Sequence, residues 1–543
     1  MILVSLYGIF AILILPRFDL CSNDDWIYTW ITRRFLETGS LSSSGFEAMY
    51  FSLQGVLGAA TCLLTGGFSY FGLHLSTFLL GFASAAAFYL YLRDLGYDGL
   101  RPLAGALLLV FNPIFFANSF NFMTDVPALA FGMLSIFCFS RGVIREKDGF
   151  ILAGCFLAVL GFFVRQFCIL ISAAFVLWSL LNPAERLRIS VRRACLLFVL
   201  PHAAGGLFFY WWTRWHNVYR QPYSIDLPEL ALNYVYILLT LGFFVTPLLL
   251  AFLLSPLSWG RVSRIGTTLG VAACLGLLLV YKRQLFPFLR NQITAWGMYL
   301  PGEFIAGNPP RLFPTGFLLL LTILSVTASA VLVSELIATL AAIARTRRAQ
   351  ERKAGSKDSP GGPVKRRPAD PRGFLYLFSL IYPASFVLLT YPFDRYLLLL
   401  IPAAVVLILD ATLEWRFPPW AATGTLGAYL LFAAAITMDS LAWNRAVWKE
   451  ARELVAGGVS PREIDGGWAW DGYSYLSAPP VPPGRLSRAQ PAMGYYTWFP
   501  GSCDNYLFSL SPQETGFNLV TELTYNGLLL REDRRIYLLV RPR

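Results

Sequence analysis

Long apolar stretches separated by short polar turns dominate the chain up to about residue 438. A helix needs roughly 20 apolar residues to cross a bilayer. Stretches approaching that length predict spans near 1–17, 69–92, 102–120, 126–140, 149–164, 167–182, 194–213, 233–255, 265–281, 316–344, 374–391, 396–413 and 420–438. The pattern predicts a polytopic α-helical membrane protein of about thirteen transmembrane helices. The first stretch lacks a basic start and a small-residue cleavage site, so it reads as a helix and not a signal peptide.

Beyond 438 the pattern changes. Residues 440–456 have the spacing of an amphipathic helix, which Gly457-Gly458 should stop. Strand-like runs follow at 463–470, 517–524 and 535–541, separated by turn formers at 479–484 and Asn526-Gly527. Two domains are expected: a membrane module over 1–438 and a small α/β domain over 439–543. No internal repeat is visible, which weighs against an inverted-repeat transporter.

Composition agrees with the membrane class. Of 543 residues, 56% are hydrophobic and only 14% charged, against about 25% charged in soluble domains. The formal charge of +12 raises the question of nucleic acid, but its distribution answers it. Lys and Arg concentrate in short loops that become cytoplasmic if the N-terminus is inside: Arg141 to Lys147, Arg186 to Arg193, and Arg261 with Arg264. Segment 345–372 carries ten basic residues against three acidic ones and is rich in Pro, Gly and Ser, the composition of a disordered cytoplasmic linker. Topology and anionic headgroups account for this charge without nucleic acid. Thirteen spans then put the tail, with eleven basic and eleven acidic residues, outside. Cys21 and Cys503 fall on that same side, where disulfides can form; whether they pair stays open.

The outer face also holds the candidate chemistry. Asp24-Asp25 follows the first span, in the loop 18–68. Carboxylates near hydrocarbon are costly and mark functional cavities, although such a pair also occurs in plain solvated loops. Asp125 follows the third span, and Arg165 and Arg395 sit in turns too short to be solvated loops. A basic residue at that depth needs an anion: either Asp125 or Asp394, or a phosphate gripped by the planar guanidinium fork. Loop 281–315 adds Lys282 and Arg283, and its length suggests a mobile gate, a static interfacial helix being the other reading. No nucleotide-binding loop, nucleophile elbow or His pair at metal-ligand spacing is present.

Several motifs together resemble a known family. Asp24-Asp25-Trp-Ile-Tyr-Thr-Trp30 with Arg33-Arg34-Phe-Leu-Glu-Thr-Gly39, then Met123-Thr-Asp125-Val-Pro127, then Asp394-Arg395-Tyr396-Leu-Leu-Leu-Leu-Ile-Pro402, are similar to the membrane glycosyltransferases of the GT-C fold. That group includes protein O-mannosyltransferases and the aminoarabinose transferases of lipid A. Arg462-Glu-Ile-Asp-Gly-Gly-Trp-Ala-Trp-Asp-Gly472 resembles the extracytoplasmic domain of uncharacterised bacterial members. The family commonly has Asp-Glu where this chain has Asp24-Asp25.

The resemblance implies a GT-C-like module in a bacterial cytoplasmic membrane, with the C-terminal domain outside. It implies a polyprenyl-phosphate sugar donor and a lipid, glycan or protein acceptor. Asp24 would be the base, with Asp25 and Asp125 as further catalytic acids. Arg165, Arg395, Lys282 and Arg283 would hold the donor phosphate. Some relatives use a divalent metal, which the three acids could bind with water. A glycan ligase or polymerase and a lipid or sugar transporter are the alternatives.

Overall fold

The computed structural model describes residues 1–47, 51–181, 198–215, 227–253, 265–282, 289, 291–298, 305–307, 312–355, 370–389, 392–413, 418–481, 498–526 and 534–542. Among them, five helices are long and apolar enough to cross a membrane: Tyr70–Asp94, Asp125–Arg145, Leu230–Phe252, Thr315–Ala342 and Pro419–Ala456. Shorter apolar helices accompany them, including Asp148–Phe162 and Arg372–Val387. The chain is thus predominantly helical.

Three departures from the expected spans have local causes. The stretch expected as one helix over 102–120 is two, Arg101–Val110 and Pro113–Asn118. Between them the Asn112 side chain accepts from the N–H groups of Ile114 and Phe115 at 3.0 and 3.2 Å, capping the second helix, with proline in its first turn. The first outer loop holds two helices, Asp25–Thr38 and Leu53–Leu64. The former ends at Gly39, which takes the left-handed φ of 72° that suits glycine. The helix Thr315–Gly355 runs through the first part of the expected disordered linker; residues 356–369 of that linker lie outside the described residues. So do the basic loops around Arg186–Arg193 and Arg261–Arg264.

At the other end, Pro419–Ala456 is one continuous 38-residue helix. It joins the last expected span to the expected amphipathic helix, so the boundary foreseen at 438/439 falls inside it. The tail then forms a four-stranded sheet of order β3-β4-β6-β5, with β3 Ile464–Asp465, β4 Tyr506–Ser509, β5 Asn518–Tyr525 and β6 Arg534–Val540. β3 and β4 are parallel and the other pairs antiparallel. The run expected as a strand over 463–470 mostly joins the helix Trp468–Ser477 instead. Its aromatic residues suit either state, and β4 has too short a run to stand out. Cys21 and Cys503 are both buried, and no disulfide joins them to each other.

The tail is bound to the first loop and to the long helix. Arg534 and Asp439 form a buried ion pair at 2.7 Å between β6 and the helix Pro419–Ala456. The Trp30 indole donates to the Leu476 carbonyl at 3.1 Å, and Arg33 donates to the Tyr473 hydroxyl at 3.0 Å. Gly472 faces Trp26, which is fully buried; a Cβ at Gly472 would clash with the indole. Such overpacking costs about 1–3 kcal/mol. Gly472→Ala should therefore lower the thermal midpoint by several degrees, and Gly472→Ala with Trp26→Phe should recover part of the loss. A midpoint unchanged in Gly472→Ala would mean that this contact does not bind the tail to the first loop.

Candidate active site

Four separated segments converge at one end of the bundle. The first loop supplies Asp24, which precedes the helix Asp25–Thr38. Asp125 opens the helix Asp125–Arg145. Arg165 lies between the helix Asp148–Phe162 and the next, and Arg395 lies in the 3-10 turn Asp394–Leu400. A fifth contribution comes from the tail. Trp468, at the start of its helix, donates its indole N–H to Asp24 Oδ1 at 2.9 Å.

The other oxygen of Asp24 accepts from Arg395 Nη2 at 2.8 Å. Arg395 is 6% exposed, and its Nε and Nη1 have no partner among the described residues. Arg165 pairs with Asp125 at 2.9 Å and donates from Nε to the Thr124 hydroxyl at 3.0 Å. Asp125 Oδ2 is likewise buried without a partner there. Both guanidiniums lie over the Tyr396 ring, at 4.8 Å for Arg165 and 5.9 Å for Arg395. Two cations thus lie against one aromatic ring and pair with two acids, in largely buried surroundings that screen them little.

Of the two acids expected as partners, Asp125 meets Arg165, whereas Asp394 does not receive Arg395. The Asp394 carboxylate is fully buried and turned elsewhere. It accepts from the N–H groups of Gln292 and Ile293 at 3.0 and 2.9 Å, and from its neighbour's N–H at 2.8 Å. It thereby fixes the small hairpin β1 Ile293–Thr294 and β2 Gly297–Met298. The Gln292 side chain also exchanges hydrogen bonds with Asn118 at 3.1 and 3.2 Å. Loop 281–315, expected as a gate or an interfacial helix, is in this described part a docked hairpin.

Asp25 also stands apart from Asp24. It is fully buried, and its oxygens accept from the N–H groups of Ser22 at 2.6 Å and Phe122 at 3.5 Å. Burial pushes its carboxyl well above the usual range. It ties the first loop to the loop before Asp125. Lys282 ends the helix Ile265–Lys282, and Arg283 lies outside the described residues.

Trp468 was missed as a site residue because nothing local distinguishes it from other tail aromatics. Its position depends on two acids, the buried Asp465 and the half-buried Asp471. Asp471 accepts from Gly466 N–H at 3.0 Å, and Asp465 from Gly467 N–H at 3.2 Å. Gly467 has the left-handed φ of 86° that starts the helix in the right direction. Burial and the neighbouring acids push both carboxyls up.

The described residues do not fit the divalent metal that the resemblance allowed. No three His, Cys, Asp or Glu among them converge on one point. Asp24 and Asp125 each face a guanidinium, and Asp25 faces backbone amides.

Residues 56–209 match the family model described as dolichyl-phosphate-mannose-protein mannosyltransferase. This segment includes Asp125 and Arg165 and covers a little over a quarter of the chain. Two solved structures of ArnT from Cupriavidus metallidurans are similar in shape. The apo form has 12% identity and a TM-score of 0.42, with 99% of each chain covered. The form bound to undecaprenyl phosphate has 13% identity and a TM-score of 0.44, covering 100% of this chain and 99% of the other. No curated protein matches.

The hairpin at Asp394 should respond to pH. Burial lifts the Asp394 carboxyl to about 7, against the pull of the N–H groups it accepts. An unfolded aspartate titrates near ~3.9. The folded value is the higher one, so Asp394 favours the docked state fully below about pH 4 and loses that contribution as pH rises through 7. Protection of the Gln292 and Ile293 amides, corrected for intrinsic exchange, should fall between about pH 5 and pH 8. Asp394→Asn should abolish this fall. Protection independent of pH in the unaltered protein would contradict the assignment.

Proposed function

We propose that the chain is an inverting glycosyltransferase that moves a sugar from a polyprenyl-phosphate donor to an acceptor hydroxyl, outside a cytoplasmic membrane. The carrying observation is the Asp24 carboxylate held between Arg395 and Trp468, beside the Arg165–Asp125 pair. The family model over 56–209 supports the reading, since its description names a polyprenyl-linked sugar as donor. The N-terminus would be cytoplasmic and the tail domain extracytoplasmic.

The transfer needs a base for the acceptor and cations for the leaving group. Asp24 takes the acceptor proton as the acceptor oxygen bonds to the anomeric carbon. The bond from that carbon to the phosphate oxygen breaks, and its electron pair leaves with the polyprenyl phosphate. Arg395 and Arg165 stabilise the added charge. The unpartnered Nε and Nη1 of Arg395 suit a phosphate. A phosphate entering there competes with Asp24 for the guanidinium. The base is then released from its ion pair only when the donor is bound, which limits proton transfer in the empty enzyme. Asp125 holds Arg165 and is a positioning acid in this scheme, and Asp25 shapes the loop.

Asp24→Asn keeps the shape and the hydrogen bond to Trp468 but removes the base. Turnover should fall on the order of 10²–10⁴-fold, while binding of undecaprenyl phosphate persists. Full turnover in this variant would remove Asp24 from the mechanism. Arg395→Lys should weaken undecaprenyl phosphate binding, because a point charge cannot replace the planar fork. Unchanged binding there would place the phosphate elsewhere. Cysteines at positions 24, 125 and 165 test the transporter alternative by labelling: transport requires access from both sides of the membrane, transfer from the outer side alone.

A further inference from the structure

The two oxygens of Asp24 face different chemistry. Oδ2 meets the cationic side, with Arg395 and then Arg165. Oδ1 meets Trp468, which also lines a narrow cleft together with Asn23, Trp443, Asn444, Gly466 and Gly467. None of these lining residues is charged. Two of them carry buried donors without a partner among the described residues: Asn23 Nδ2 and Trp443 Nε1, in side chains 5% and 3% exposed. Buried N–H groups of this kind are rare and call for an explanation. Asn23 also has a φ of 55°, a left-handed conformation that a non-glycine residue adopts at some cost and that is concentrated at functional sites.

We infer that this cleft is the acceptor subsite, and that the acceptor it takes is a neutral sugar. This rests on the glycosyltransferase reading. The N–H groups of Asn23 and Trp443 need an oxygen with lone pairs, which a hydroxyl supplies. The absence of a cation in the lining disfavours a phosphate or carboxylate, in contrast to the Arg395 side. The cleft admits a group the size of a water molecule and not a sugar ring. The ring therefore stays at the mouth. Next to the lining residue Trp468 stands Trp498, 45% exposed, with the two rings 6.3 Å apart. An indole offers a flat apolar face with a polar edge, the combination that suits a sugar's C–H face and its hydroxyls. The tail domain would thus complete the acceptor side of the reaction, and the membrane module the donor side.

The test uses the full chain with ¹⁵N-labelled tryptophan and arginine in phosphatidylcholine nanodiscs. Indole signals are assigned with Trp443→Phe, Trp468→Phe and Trp498→Phe. The probes are a panel of methyl glycosides, N-acetylserine amide, inorganic phosphate and undecaprenyl phosphate. At least one methyl glycoside should shift the Trp443 and Trp498 indoles, and inorganic phosphate should leave Trp443 unmoved. Asn23→Gly accommodates the left-handed backbone while removing the amide, and should weaken glycoside binding about 5-fold, the loss of one hydrogen bond. Trp443→Phe, which keeps an aromatic ring, should do the same.

Any of three results overturns the inference: no glycoside moves Trp443, inorganic phosphate moves it, or only the serine amide does. Undecaprenyl phosphate reports separately, through the Arg395 Nε signal. A response there with no glycoside effect leaves the donor reading standing and removes the acceptor subsite. Glycoside binding without a response at Arg395 does the reverse.

Discussion

The site depends on one carboxylate held by two distant partners. Asp24 accepts from Arg395, 371 residues later, and from Trp468, 444 residues later. Each bond joins a different part of the molecule to the first loop. The guanidinium brings in the turn between two late apolar segments, and the indole brings in the tail. A charge this close to the membrane is stable only if paired. The pairing therefore fixes where the tail and that turn must sit. The supporting contacts follow the same logic. Trp26 against Gly472, Trp30 on Leu476 and Arg534 on Asp439 all hold the tail against the elements that carry Asp24 and the cleft beside it.

Electrostatics divides the site into two halves. On one side two guanidiniums lie against the Tyr396 ring and are paired with Asp24 and Asp125. On the other side the polar groups are neutral N–H donors and indoles. A transferase that handles an anionic lipid carrier and a hydroxyl acceptor needs such a division. In the proposed reaction both halves act on one group, so donor and acceptor would be coupled through Asp24 itself. Asp394 and Asp25 are equally buried but have other work. Each accepts backbone N–H groups and so fixes a loop at the edge of the site.

Much of this was legible in the sequence. Apolar periodicity marked the helices, because lipid and core both demand apolar faces. Gly457-Gly458 marked the end of the last long helix, and Asn526-Gly527 lay between the two longest strands. Asp24, Asp125, Arg165 and Arg395 stood out because charges are scarce in such a chain. What the sequence hid was pairing. Arg395 adjoins Asp394 yet binds Asp24, because the Asp394 carboxylate is taken by two amides of a hairpin about a hundred residues away. Trp468 looked like a strand residue, and only the fold brings its indole to Asp24. The break at Asn112-Pro113 lies inside an apolar run that reads as one span.

In the proposed reaction the two guanidiniums form a phosphate site for a polyprenyl lipid. Native mass spectrometry of the protein extracted with its own membrane lipids tests it most directly. The account predicts a bound polyprenyl phosphate on the unaltered chain and its loss from Arg165→Ala/Arg395→Ala purified in the same way and equally folded. Equal retention of that lipid by both proteins, or only ordinary phospholipid on the unaltered chain, would contradict it.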